Sequence, residues 1–118
     1  MSKPSGTFFS RRAPDIITEE LIAVLSSKTA FEFKPLFDIL LVNLRERNAA
    51  SGGEEMLRLR SYEKLQSLVS QGAVDRKVSG TTKKYKGVPA RMVALRAEMK
   101  TLRADWNERA QARAAAAN

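Results

Sequence analysis

Apolar and polar positions alternate along the chain with two periods. In residues 57–71, Leu59, Tyr62, Leu65, Leu68 and Val69 return at spacings of three and four, which predicts a helix with those residues on one face. Arg60, Ser61, Lys64 and Ser67 fall toward the other face. Gly72 follows the last apolar turn, where a helix wants a left-handed C′ residue. The period then shortens. Residues 73–78 place Val74, Arg76 and Val78 on one side and Asp75 and Lys77 on the other, which reads as a strand. Ser79, Gly80, Thr81 and Thr82 form a turn by composition. Residues 83–88 form a second short strand around Tyr85.

Upstream, residues 15–26 predict a first helix, capped by Asp15 or Thr18, with Ile17, Leu21, Val24 and Leu25 on its core face. Glu19 and Glu20 suit the positive end of its dipole. Phe31 and Phe33 flank Glu32 in alternation, consistent with a very short strand. Pro35 stands where a first helical turn tolerates proline, and residues 36–48 predict a second helix. Leu36, Phe37, Leu40, Leu41 and Leu44 line it, and Ile39 and Val42 make it apolar nearly all round. Such a helix is central to a core or sits at an interface. The third helix then covers residues 54–71. After Pro89, residues 90–117 read as one long helix of high intrinsic propensity. Met92, Leu95, Met99, Leu102 and Trp106 repeat at three and four along it, a heptad seam of about two heptads. That seam fits either a homodimer interface or packing on the chain's own helices.

The order helix, strand, hairpin loop, strand in residues 57–88 resembles the second half of a winged helix-turn-helix domain. The residues carrying the resemblance are Leu68 and Val69, Gly72, then Val74 and Arg76 entering the hairpin, with Lys83 and Lys84 where a basic wing tip would be. The resemblance implies an α+β, mostly helical fold: a flexible basic arm in residues 1–14, a winged-helix domain in 15–88 and a C-terminal helix in 89–118 that serves dimerisation, its alanine-rich residues 107–118 expected to fray. It departs from the family in one place. The connector of residues 48–53 is longer than the 3–4-residue turn of a compact helix-turn-helix. Glu54 and Glu55 behind it favour the helix but repel a phosphate.

Charge sharpens this picture. The chain has 118 residues, a net charge of +8 and no cysteine or histidine. A disulfide framework, a thiolate zinc site and a histidine general base are therefore absent. No carboxylate pair or calcium-loop pattern appears, so neither an enzyme nor a metal or other cofactor is expected. Strongly basic chains bind polyanions. The charge is uneven: residues 1–12 carry +3, residues 13–64 carry −2, and residues 83–118 carry +6. No apolar run approaches the ~18 residues that span a bilayer, and the N-terminal stretch lacks the apolar core of a signal peptide. The expected setting is intracellular, cytoplasmic or nucleoid-associated, with no membrane partner.

The expected function is nucleic-acid binding as a small transcriptional regulator or architectural factor, with duplex DNA favoured over RNA. Arg58, Arg60, Ser61 and Lys64 of the third helix would face the major groove. Lys77, Lys83, Lys84 and Lys86 of the wing would hold backbone phosphates, and Arg11 and Arg12 of the arm would reach adjacent ones. Phe8 and Phe9, just before those arginines, equally fit an arm docked on the domain or on a partner subunit. Two other expectations stand beside this one. An RNA- or ribosome-associated protein would use the same basic surface. An assembly protein would work through its apolar helices.

Overall fold

A computed structural model describes residues 15–117, which form four helices and a two-stranded antiparallel hairpin. The Asp15 carboxylate opens α1 (Ile16–Leu25), accepting from the Ile17 amide at 3.2 Å and the Thr18 hydroxyl at 2.6 Å. α2 (Phe33–Glu46) carries Pro35 in its first turn, where the amide it lacks would have had no helical partner. Its last carbonyls are closed by the amides of Asn48 and Ala49, donated to Arg45 and Leu44 at 3.0 and 2.8 Å.

α3 (Glu54–Ser70) ends in the same manner. The amides of Gly72 and Ala73 donate to the carbonyls of Val69 and Leu68, each at 3.0 Å. The motif needs a left-handed C′ residue, and Gly72 has φ 76°. The chain leaves it directly into β1 (Val74–Ser79), which pairs with β2 (Thr82–Gly87) in the register Val74↔Gly87 to Ser79↔Thr82. The strands therefore run one residue further toward the tip than their composition predicts, and the turn shrinks to Gly80 and Thr81. Serine and threonine at its ends accept extended backbone as readily as turn backbone. Phe31 and Tyr85 exchange both backbone hydrogen bonds, at 2.8 and 2.7 Å, adding a single residue beside β2. The alternation at Phe31 and Phe33 is thus strand-like for one residue only, because α2 begins at Phe33.

The core lies among α1, α2, α3, the hairpin root and the first half of α4 (Pro89–Ala117). Leu21, Leu25, Leu36, Leu40, Leu44, Leu65 and Leu68 are fully enclosed. Two apolar faces differ from the periodicity reading. In α3 the buried residues are Leu57, Ser61, Leu65 and Leu68, whereas Leu59 is 52% and Tyr62 38% exposed. The helix is rotated so that a serine takes the position where an apolar residue is expected. Tyr62 instead meets Phe33 edge-on, with ring centres 5.3 Å apart. In α4, Met92, Leu95 and Met99 are buried in the chain's own core, where α4 packs on α1. They are therefore not available to a partner, which corrects the dimer assignment for these three residues. Leu102 and Trp106 are half-buried, and the Arg113 guanidinium lies 5.3 Å from the centre of the Trp106 ring. Among the described residues, no helix is long and apolar enough to cross a membrane.

Candidate nucleic-acid interface

Strand alternation sorts the hairpin's side chains onto two faces. The inner face turns toward the helices. Val74, Tyr85 and Gly87 are buried there, and Tyr85 Oη accepts from Gln66 Nε2 at 3.2 Å. Gln66 Oε1 in turn accepts from Arg76 at 3.4 Å, so the hairpin root is tied to α3. Gly87 lies so close to the end of α1 that a Cβ there would collide with the Leu25 carbonyl oxygen and stand 2.7 Å from Met92 Cγ.

The outer face carries the opposite chemistry. Lys77 and Lys84 are cross-strand partners, and Lys86 follows on the same side of β2, across from Asp75. With Ser79, Thr82 and Ala30 they line an open concavity of about 450 Å³. All three lysines are exposed, as is Lys83 at the tip. Among the described residues, none of the four lies within ion-pair distance of a carboxylate. Like charges directly opposite each other weaken a hairpin. Lys77 and Lys84 therefore contribute nothing favourable to the isolated fold through their charges.

The basic residues of the helices are disposed differently. Lys64 is half-buried and pairs with Asp15 at 3.0 Å. Arg58 pairs with Glu54 at 3.4 Å and lies 5.5 Å from the centre of the Phe37 ring. Arg103 grips Glu19 with two hydrogen bonds, 2.7 and 3.1 Å, across α1 and α4. Arg47 reaches Glu20 at 2.7 Å and the same Glu19 at 3.2 Å. Burial opposes the charge on Arg47, but its hydrogen bonds to Glu20 and Glu19 outweigh it and raise its pKa, so it stays charged.

The expected site residues therefore divide. Lys77, Lys83, Lys84 and Lys86 come together on one hairpin as exposed cations that, among the described residues, are in no ion pair. On α3 only Arg60 is exposed and without an ion-pair partner among the described residues. Ser61 is corrected: it is fully buried, its hydroxyl without a hydrogen-bond partner, and it cannot touch a ligand. Lys64 and Arg58 already have anionic partners inside the chain. Arg11 and Arg12 lie outside the described residues.

Two cations escaped the sequence reading. Lys86 also borders a second cleft, of about 230 Å³, shared with Lys28 beyond α1 and Arg96 on α4. These residues are far apart in sequence and sit in no motif, so nothing in the linear pattern links them. No group of three carboxylate, histidine or cysteine side chains suited to a metal occurs among the described residues. Comparison with protein-family models, curated proteins and solved structures finds no match.

Proposed function

We propose that this protein binds nucleic acid through its hairpin, as a winged-helix protein whose wing does most of the work. Support for the winged-helix reading comes from the element order: helix, single bridging residue at Phe31, two helices, hairpin. The observation that carries the function is the outer face of the hairpin. Three lysines share it, two of them directly opposed; one carboxylate, Asp75, stands across from Lys86, and among the described residues none of the three lysines is in an ion pair. A phosphate backbone supplies the missing counter-charge, and release of its condensed ions drives association.

Duplex DNA is the favoured partner. Single strands are held by aromatic side chains on which bases stack. Among the described residues the outer face has none, because Tyr85 is buried on the other side. α3 adds little base readout, since its outward side carries Glu55, Leu59 and Glu63 with Arg60 at one flank. The role is therefore architectural or weakly sequence-selective, not that of a stringent regulator. No catalytic step is assigned. An alternative reading as an assembly protein is favoured by one observation: Ile39, Val42, Met56 and Leu59 are exposed on α2 and α3. Within either reading, a homodimer would use Leu102 and Trp106 rather than the upper part of the α4 seam.

Binding of the full chain to duplex DNA, single-stranded DNA and structured RNA across a salt series tests this. Duplex affinity is expected to exceed single-strand affinity and to fall steeply as salt rises. No binding at low salt, or a flat salt dependence, would overturn the reading in favour of assembly. Preference for structured RNA would replace DNA as the partner.

A further inference from the structure

Lys86 belongs to two cavities at once. On one side it lines the outer concavity of the hairpin with Lys77 and Lys84. On the other it lines the cleft between the end of α1, the end of β2 and the first turns of α4, together with Lys28 and Arg96. The three cations of the cleft come from three separate parts of the chain. None has a carboxylate within ion-pair distance among the described residues.

The floor of the cleft is tightly packed. Gly87 sits against the Leu25 carbonyl and Met92, with no room even for a methyl group. Its two hydroxyls are already used as donors: Ser26 Oγ gives its proton to the Ile22 carbonyl at 2.6 Å, and Ser27 Oγ to Val24 at 3.0 Å. The free donors facing the cleft from side chains are therefore the cations. A neutral ligand would leave them unmatched, whereas a phosphate brings both the acceptors and the charge that match them. Val93 stands at the same cleft, 71% exposed, and so reports on anything that enters.

We propose that this cleft holds a phosphate group and continues the lysine face of the hairpin. A nucleic-acid strand runs from Lys77 and Lys84 past Lys86 to Lys28 and Arg96, on the side of the hairpin turned away from α3. This rests on the reading of the hairpin as a nucleic-acid contact and extends it to a defined path. Inorganic phosphate carries the same group, so both sources are tested.

The experiment compares the full chain with Lys28→Ala/Arg96→Ala, and with Arg45→Ala/Arg109→Ala as a control. The control removes equal charge from residues held in ion pairs elsewhere, with Glu54 and Asp105. Duplex affinity is measured across a salt series, and the Val93 methyl signals are followed while duplex DNA or inorganic phosphate is added. The Lys28/Arg96 variant should lower the slope of log affinity against log salt by about two, and the control should leave it unchanged. Duplex should shift the Val93 signals in the wild type but not in the Lys28/Arg96 variant. An unchanged slope in that variant, while the wild type still binds duplex, would overturn the path and leave the hairpin reading intact. Val93 shifts with inorganic phosphate alone would make the cleft a small-anion site and also overturn the path. Absence of duplex binding by the wild type would instead remove the hairpin reading itself.

Discussion

On the inner face of the hairpin, Tyr85 and Gly87 are buried, and Tyr85 and Arg76 are both hydrogen-bonded to Gln66 of α3. On the outer face of the same strands, Lys77, Lys84 and Lys86 stand exposed and, among the described residues, in no ion pair, with Asp75 across from Lys86 as the one carboxylate of the face. Neighbouring residues of β2 thus belong to opposite faces, since successive side chains of a strand point in opposite directions. The inner set holds the hairpin to the helices. The outer set leaves a like-charge pair that the fold alone does not reward. A second contrast points the same way. Arg47 and Arg103 converge on Glu19 and pin α1, the end of α2 and α4 together. Both regions carry cations, but in one they are held in ion pairs within the chain and in the other, among the described residues, they are not. The net charge of the chain hides this difference.

The largest expected effect lies on the inner face. Gly87→Ala forces a methyl group against the Leu25 carbonyl and Met92, and should cost about 3 kcal/mol of stability. Thermal unfolding checks this: for a domain of this size the loss is a fall in Tm on the order of 15 °C. A fall of only a degree or two would mean that the hairpin root is loosely seated, and that the two faces do not differ in their structural role.

Ser61→Ala should have a smaller effect of opposite sign. The Ser61 hydroxyl is fully buried and has no hydrogen-bond partner. Removing it relieves a desolvated polar group, so stability should rise by about 1 kcal/mol, with duplex affinity unchanged. A loss of affinity at unchanged stability would return Ser61 to the binding surface and contradict the buried placement.

Much of the fold was legible in the chain. Asp15 as a cap, Gly72 as a left-handed stop and Pro35 in a first turn are local signals whose causes lie within a few residues. The hairpin and its basic outer residues were legible for the same reason. The rotation of α3 was not. A serine accepted into a helix interface is invisible to a count of apolar positions, which puts Leu59 and Tyr62 inward and Ser61 outward. The heptad spacing of α4 marks a buried seam without naming the surface that buries it, and here α1 takes Met92, Leu95 and Met99. Ion pairing was the least legible feature. Arg103 and Glu19 are 84 residues apart, and Lys28, Lys86 and Arg96 meet only because α1, β2 and α4 end or begin at one place.

We infer that the exposed lysines of the outer hairpin face, Lys77 and Lys84 foremost, are the polyanion contact. The most direct test is the salt dependence of duplex binding by Lys77→Ala/Lys84→Ala beside the wild type, with thermal unfolding of both. Losing two phosphate contacts should reduce the slope of log affinity against log salt by about two, on every duplex sequence alike. The unfolding temperature should stay level or rise slightly, because a like-charge cross-strand pair is removed. An unchanged slope with a lowered unfolding temperature would contradict the account: the lysines would then serve the fold, and the nucleic-acid contact would have to lie elsewhere.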